Sequence, residues 1–352
     1  MLKVIGLDDE EQWLGAVRAF ENHDVYYLPQ YTKAFHLHGD GEPLLFYYES
    51  PDTRGVNVAM KRDIAGAPQF SGVLPGGTYF DLATPYGYGG WLLEGDRSEA
   101  AVQKLGAAYG AYCRENNIVS EFVRFHPLLR NYDCLVPMYE IIEMGKTVYL
   151  DLSSPAVIDG NIQPRTHNRI RKAQRDGLSV GIGNSPEIFA QFTELYTVTM
   201  ARNQAQPYYF FGHDFFDCVC REMPDNAMIF YAACGNEMAA MELVLYGNGR
   251  MHSHLQGSKR ECQHLSPVPL LIYTEAMWGC DNGIREFHLG GGLGSTEDNI
   301  YQFKSNFNRF ADTRFHTGRK IFDGEKYDWL LQLRSEVVAE PERPGFFPGY
   351  RA

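Results

Sequence analysis

The sequence predicts a mixed α/β protein (α+β mixed sheets) that contains two copies of one folding unit. Its 352 residues are more than one ordinary hydrophobic core requires. Apolar runs of strand length alternate with segments of helical period along the chain. A helix, a polar turn and a strand containing Glu-Phe occur twice, at 121–122 and 286–287, an offset of 165 residues. We therefore expect a duplicated α/β unit with mixed sheets, the alternative being a chance repetition of Glu-Phe.

The strands of these sheets are predicted from apolar runs of five to eight residues. Aromatic residues make up 14% of the chain, which favours sheet faces and deep clefts over helical bundles. The predicted strands are 43–49, 56–60, 119–125, 147–152, 228–234, 239–246, 251–256 and 285–289.

Three helices are predicted from the spacing of apolar residues. In 98–113 these residues recur at i, i+4, i+7 and i+11, which places them on one face of a helix. The segment 185–202 has a similar stripe, with Pro186 where a first helical turn tolerates proline. A third helix is predicted at 268–280, with the prolines 267 and 269 at its start.

The predicted domain boundary lies near 151–164, a stretch rich in Ser, Pro, Gly and Asn. The first domain would span 1–150 and the second 151–317. The C-terminal segment 318–352 is expected to pack back on the first domain. Within it, 341–350 (PERPGFFPGY) is too rich in proline and glycine for regular structure, so it is either a draped arm or disordered.

Charge and composition disfavour several classes of protein. The net charge of −12 argues against a surface that binds nucleic acid over its whole extent, although it leaves a local basic patch open. No apolar run is long enough to span a membrane, and the early acidic residues do not fit a secretory signal. The seven cysteines include no CxxC pair, which favours reduced thiols. We expect a cytoplasmic protein whose oligomeric state the sequence leaves open.

The segment 165–175 (RTHNRIRKAQR) concentrates positive charge in an otherwise acidic chain. On a helix, Arg165, Arg169 and Lys172 would share one face, with Arg171 and Arg175 on a neighbouring face. Arginine binds phosphate through paired hydrogen bonds, so this segment is a candidate phosphate site. A solvated helix paired with acidic surface explains the same pattern equally well.

Lys304 lies between the aromatic residues Phe303 and Phe307, shortly after the second repeated strand. A cation in such a place can stabilise the negative charge that forms on a carbonyl oxygen during acyl transfer. The alternative is an ordinary solvated lysine.

Two glycine-rich loops are candidates for ligand contact. The loop 290–294 (GGGLG), which includes Gly291, has neither the P-loop ending nor the dinucleotide-binding spacing. Its glycines therefore favour close approach of backbone to backbone or ligand. The loop 83–90 (ATPYGYGG) carries Tyr86 and Tyr88, whose hydroxyls suit a polar ligand; a packed surface loop is the alternative.

The sequence predicts no metal site and no covalent nucleophile. His252 and His254 share a strand face but lack a third ligand at suitable spacing. We expect a core or hydrogen-bonded role for His254. The chain contains no GxSxG motif and no recognisable Cys/His pair.

Together these segments resemble the Fem-type acyltransferases, a family with two tandem GNAT-like domains, over roughly residues 25–320. The resemblance is strongest in the second half. It depends on the basic helix 165–175, a helix ending in Arg202, Gln256-Gly-Ser258, Leu265-Ser-Pro267 before a helix, Trp278-Gly, Gly290-Gly-Gly and Phe303-Lys304, with PYGYGG in the first half.

The resemblance implies roles for several residues. Lys304 corresponds to the lysine of the family's Phe-Lys pair, which is proposed to stabilise the carbonyl oxygen while an amine attacks, and Phe303 would line the same channel. Lys33 lies near the place of a lysine that binds the acceptor phosphate. Glu242 is a candidate to take the proton of the amine, with a structural glutamate as the alternative. The other candidate substrate-binding residues are Tyr86, Tyr88, Arg165, Arg169, Lys172, Arg202, Tyr208, His254, Ser258 and Gly291.

Two departures from the family bear on the donor. The chain shows no long helical-hairpin arm of the kind thought to engage tRNA, so it resembles members that act on soluble precursors. It also lacks the Arg/Gln-x-x-Gly-x-Gly/Ala loop with which ordinary GNAT enzymes hold coenzyme A. Because no tightly bound cofactor is expected, the donor would be a co-substrate, either an aminoacyl-tRNA or an acyl-CoA.

The resemblance therefore implies an acyltransferase of cell wall biogenesis. It would move an acyl or aminoacyl group onto an amine of a peptidoglycan-type or other cell-envelope precursor, with a small-molecule or glycan-precursor substrate and with tRNA as a further candidate partner. The alternatives are an N-acetyltransferase that uses acyl-CoA, and a non-catalytic protein that binds a glycan or a nucleotide-sugar.

Overall fold

The computed structural model describes residues 1–235, 237–338 and 345–352. The chain divides into two compact units. Unit 1 comprises 1–144 and 315–352, and unit 2 comprises 145–314. The segment 318–352 therefore belongs to the same unit as the N-terminal residues.

In its described residues, unit 1 contains a sheet with four accompanying α-helices. Its complete strands are β1 (Leu2–Ile5), β2 (Glu42–Glu49), β3 (Thr53–Asp63), β4 (Phe80–Ala83), β5 (Leu92–Gly95) and β6 (Ile118–Arg124). Its helices are α1 (Glu10–Arg18), α2 (Pro29–His38), α3 (Glu99–Glu115) and α10 (Gly324–Val337).

Unit 2 contains the remaining complete elements. Its strands are β8 (Leu178–Gly183), β9 (Ala227–Cys234), β10 (Glu237–Gly247), β11 (Arg250–Ser258) and β12 (Glu286–Gly290). Its helices are α4 (Pro155–Asn161), α5 (Pro164–Arg175), α6 (Pro186–Arg202), α7 (His213–Glu222), α8 (Pro267–Asp281) and α9 (Asn299–Ser305). Two further strands cross the unit bounds, β7 (Glu140–Asp151) and β13 (Thr313–Ile321).

The two units have the same strand order, which confirms the predicted duplication. Unit 1 reads β1-β2-β3-β4-β6-β13, and unit 2 reads β8-β9-β10-β11-β12-β7. In each, the fourth and fifth strands are parallel and the other neighbours that have a described register are antiparallel. The helix before the fifth strand is α3 in unit 1 and α8 in unit 2. The repeated Glu-Phe segments fall in β6 and β12, the corresponding fifth strands.

The sixth strand of each unit comes from an unexpected place in the chain. Unit 2 takes β7, which follows β6 of unit 1, and unit 1 takes β13, which follows α9 of unit 2. Unit 1 is therefore discontinuous in sequence.

The core of unit 2 lies between its sheet and helices α5 and α8. Its buried members include Leu150, Ile170, Phe230, Leu271 and Phe287, drawn from both helices and three strands. Helix α8 is hydrophobic over most of its surface, which accounts for its position against the sheet and α5. This packing fixes the C-terminal end of β12, where the loop that begins at Gly290 leaves the sheet.

The predicted strands and helices are all present, with bounds that differ by up to three residues, except that β7 begins seven residues before the predicted start at 147. Helix α4 lies in the stretch 151–164, where Ser154 accepts a hydrogen bond from the Val157 N–H and Pro155 takes the first helical position. In the predicted irregular tail, 341–344 lie outside the described residues. Beyond them Tyr350 is buried, and its hydroxyl hydrogen-bonds Ser120 at 2.8 Å and donates to Asp81 at 3.1 Å.

Candidate functional site

Lys304 lies in the last turn of the short helix α9, where the helix dipole favours a positive charge. Asp298 caps the other end, since its carboxylate accepts from the backbone N–H groups of Ile300 and Tyr301. Phe303 is half-buried, and its ring packs edge-on against buried Phe307 with centroids 5.5 Å apart. The cap and the aromatic pair therefore fix the helix that carries the lysine.

The Lys304 ammonium is held by the loop after β12. Its Nζ donates to the carbonyl oxygen of Gly291 at 3.0 Å. An ammonium group has three donors, and among the described residues the other two meet no acceptor. Gly291 itself is tightly packed, because a Cβ there would lie 2.7 Å from the carbonyl oxygen of Lys146.

Glu242 is completely buried on β10, between Ala240 and Val244 of the unit 2 core. Its carboxylate accepts hydrogen bonds from the Ser253 hydroxyl and the Gln256 amide of the neighbouring strand β11. A regular strand would point residues 253 and 256 to opposite faces. A bulge in the β10–β11 pairing leaves His254 without an opposite residue, so both side chains reach one face.

Lys304 and Glu242 interact electrostatically. Burial lowers the pKa of Lys304 to about 8, and the negative charges of Glu242 and Asp298 oppose that shift. Burial raises the pKa of Glu242, while the Ser253 and Gln256 hydrogen bonds and the charge of Lys304 act in the opposite direction. A lysine with a pKa near 8 can be charged or neutral within the working range of an enzyme.

A second buried carboxyl group, Glu275 of α8, lies beside Glu242. Glu275 is also fully buried, and neither of its side-chain oxygens has a hydrogen-bond partner among the described residues. Its pKa is raised well above the usual value, first by burial and then by the negative charge of Glu242. Unit 2 thus places two carboxyl groups and one lysine close together in a largely apolar interior.

The basic helix predicted for 165–175 is α5, with Thr166, Ile170 and Ala173 buried and all five cations exposed. Lys172 pairs with Asp176 four residues on. Arg165, Arg169 and Arg175 have no acidic partner among the described residues. A groove of about 590 Å³ runs along the helix and is lined by Asn168, Arg171, Gln174 and Arg175. Most of the positive charge of α5 is therefore not neutralised by neighbouring side chains.

The remaining predicted residues of unit 2 occupy separate places. Arg202, at the end of α6, donates to the carbonyl oxygen of Ser258 at 2.6 Å and so joins α6 to the end of β11. Tyr208 is exposed and packs edge-on against Tyr209 and Phe211. His254 is half-buried at the bulge, and burial followed by the charge of His252 lowers its pKa to about 3, so the ring is neutral at neutral pH.

In unit 1, the tyrosines of the 83–90 loop surround an arginine that the sequence analysis did not single out. The Arg124 guanidinium lies 6.0 Å from the ring centre of Tyr86, 5.9 Å from that of Tyr88 and 5.2 Å from that of Phe315. Its Nε donates to the Gly87 carbonyl oxygen. Lys33, on α2, instead forms an ion pair with Glu10 at 3.4 Å.

Part of the chain matches a known domain family. Residues 164–305, which include α5, Glu242, Glu275 and Lys304, match the acetyltransferase (GNAT) domain family. Residues 164–305 form a GNAT domain. No curated protein matches the sequence.

The whole chain has the fold of FemX, at 12% identity and a TM-score of 0.66, over 94% of this chain and 99% of FemX. Two further structures have TM-scores of 0.56. One is the C-terminal domain of an Agrobacterium fabrum protein that is named as a proposed lysylphosphatidylglycerol synthetase. The match has 13% identity over 94% of this chain and 97% of that domain. The other is a Bacteroides thetaiotaomicron protein of unknown function, at 9% identity over 91% and 99%.

These matches confirm the resemblance to Fem-type acyltransferases and the prediction of tandem GNAT-like domains. At identities this low the solved structures establish the fold alone. None of the described helices combines the length and the apolar character that crossing a membrane requires.

The sequence analysis missed Glu275, Ser253 and Gln256 as neighbours of the predicted Glu242. Glu275 is the only charged residue between 267 and 280, and it falls four residues from both Leu271 and Gly279 on a buried helical stripe. A single carboxyl group on such a stripe was a usable signal. The bulge that aligns Ser253 with Gln256 leaves no comparable signal in the sequence.

Proposed function

We propose that this protein is an acyltransferase that moves an activated acyl or aminoacyl group onto an amine of a cell-envelope precursor of the peptidoglycan type. The observation that carries this proposal is Lys304, a half-buried ammonium within the matched GNAT region. It uses one donor on Gly291, and its other two donors meet no acceptor among the described residues. A partly buried cation with unused donors suits the stabilisation of an oxyanion. The resemblance of the Phe303-Lys304 segment to the Fem-type acyltransferases supports the choice of a precursor amine as acceptor.

In the proposed reaction, the neutral amine of the acceptor attacks the carbonyl carbon of the donor. A C–N bond forms, and the carbonyl oxygen becomes an alkoxide that Lys304 stabilises. When the carbonyl re-forms, the C–O bond of an aminoacyl ester or the C–S bond of a thioester breaks. The proton lost by the amine balances the charge on the leaving oxygen or sulfur. No covalent enzyme intermediate is needed, because alignment and charge stabilisation suffice.

Glu242 has a supporting role in this proposal. Its carboxylate is completely buried, and it accepts hydrogen bonds from Ser253 and Gln256. We therefore assign it to keeping Lys304 charged, since its negative charge opposes the effect of burial on the lysine pKa. In this assignment Glu242 acts through Lys304, and the amine loses its proton to another acceptor.

An aminoacyl-tRNA is the proposed donor because of helix α5. A chain with a net charge of −12 presents there an exposed arginine cluster that has no acidic partner in the described part of the chain, beside a groove of about 590 Å³. Phosphodiester groups are the ligands that such a cluster binds best. An acyl-CoA donor is the second candidate, and it is favoured by the match to the acetyltransferase domain family.

The proposal is tested with the purified full-length protein, a nucleotide-linked peptide acceptor, and a panel of charged tRNAs and acyl-CoAs. Product formation is followed by mass spectrometry. Lys304→Met should lower the rate by about 100- to 1000-fold, the usual loss when one oxyanion donor is removed. A loss of less than about threefold, which is under 1 kcal/mol of barrier, would refute the oxyanion role.

A double variant of helix α5 and a control variant identify the donor. Replacing Arg171 and Arg175 with glutamine should weaken binding of tRNA and reduce the slope of log K against log salt by about two. The same change should leave transfer from acyl-CoA unaltered. Arg18→Gln, an exposed arginine at the end of α1 in unit 1, is the matched control.

A further inference from the structure

Glu275 is a completely buried carboxyl group of unit 2 that the proposed reaction does not use. Burying a carboxylate without hydrogen bonds is costly, so such groups are normally paired or neutral. Glu275 has no exposed surface and no hydrogen-bond donor on either oxygen among the described residues. A protonated carboxyl group avoids most of this cost.

The surroundings of Glu275 leave one titratable neighbour. Of the elements packed against α8, β10 contributes Glu242, the one charged group that acts on Glu275. Asp159 of α4 accepts instead from the Tyr273 hydroxyl, and Arg171 of α5 acts on that same tyrosine. Strand β8 has no ionisable side chain, and β9 offers only Tyr231 and the exposed Cys234.

We propose that Glu275 is a positioning residue that holds a proton beside Glu242, so that Glu242 alone is ionised and serves as the counter-ion of Lys304. Two adjacent buried carboxyl groups cannot both ionise readily and titrate as a pair. The proton gives Glu275 a hydrogen-bond donor of its own, which the surrounding apolar side chains do not provide. The three groups together then carry one positive and one negative charge, and the interior has no net charge.

The proton on Glu275 can be tested without any substrate. A protonated carboxyl group has an infrared C=O band that is separate from the bands of carboxylates. At pH 7, the spectrum of the wild type minus that of Glu275→Gln should contain one protonated carboxyl band. Glu121, a buried glutamate of unit 1, contributes equally to both spectra and cancels. A carboxylate band in its place would overturn the inference.

Glu261→Gln is the matched control, because Glu261 is an exposed glutamate of the same unit. Its difference spectrum should contain a carboxylate band. A protonated carboxyl band in both difference spectra would also overturn the inference, because the signal would then not belong to Glu275.

The role toward Glu242 rests on the proposed function and is read from the pH dependence of transfer. Glu275→Gln keeps a neutral donor and should leave the acid limb of the profile within about 0.3 pH units of the wild type. Glu275→Met has a similar volume but no donor, so protonation of Glu242 becomes easier. Its acid limb should move upward by about one unit, an about tenfold loss of rate at acid pH.

Acid limbs that coincide in wild type, Gln and Met variants would overturn the role of Glu275 while leaving the transfer activity established. Absence of transfer from every donor would overturn the proposed function, and the infrared result would still decide whether Glu275 is protonated.

Discussion

The rate of acyl transfer should fall as the pH rises through the pKa of Lys304. Burial lowers this pKa to about 8, so about nine-tenths of the lysines carry a proton at pH 7 and about one-tenth at pH 9. If the charged form stabilises the oxyanion, that contribution to the rate falls about tenfold between these two pH values. The acceptor amine loses its own proton over the same range, which raises the rate and would hide the effect in wild-type protein alone.

The comparison with Lys304→Arg separates the two titrations. A guanidinium stays protonated through pH 9, so the ratio of the wild-type rate to the variant rate cancels the titration of the acceptor. Single-turnover amide formation at saturating donor and acceptor gives this ratio at each pH. We expect it to fall by about tenfold from pH 7 to pH 9. A ratio that rises with pH would refute the oxyanion role and would assign Lys304 as a neutral base instead.

Two substitutions test the structures that hold Lys304. Gly291→Ala places a Cβ 2.7 Å from the carbonyl oxygen of Lys146, so we expect a loss of about 1–3 kcal/mol in the free energy of unfolding in urea. Gly160→Ala, within helix α4 of the same unit, is the control, because a Cβ there meets no atom within 4 Å. Equal losses in the two variants would contradict the packing argument. Asp298→Ala removes the N-cap of the helix that carries Lys304 and should cost about 0.5–2 kcal/mol by the same measurement. Unchanged stability of the second variant would show that the cap does not hold this helix.

Local patterns predicted the parts of the fold that are apolar and continuous. The runs that became β9 and β10 are apolar and buried on both faces, so each was readable as a continuous apolar run of strand length. Strands β1, β4, β5, β8 and β13 were not predicted. They are short or mix charged residues and glycine with apolar ones, and their pairing partners lie far away in sequence.

The candidate site was predictable only in part for a similar reason. Lys304 was found because it has aromatic neighbours in sequence and a family resemblance. The grouping of Glu242 with Ser253 and Gln256 depends on a bulge that forms when two strands pair. The position of Glu275 depends on how α8 docks on the sheet, which its own apolar sequence does not specify.

The origin of β13 sets the order in which the two halves can finish folding on the ribosome. The last strand of unit 1 is synthesised only after all of unit 2, because 315–321 follow 145–314. Until β13 is synthesised, strand β6 of unit 1 has no partner along one edge. All the strands of unit 2 have already been synthesised by then. A nascent chain that has emerged from the ribosome as far as residue 314 has a complete second unit and an unfinished first one, and the unpaired edge of the first is exposed to chaperones and to pairing with other chains.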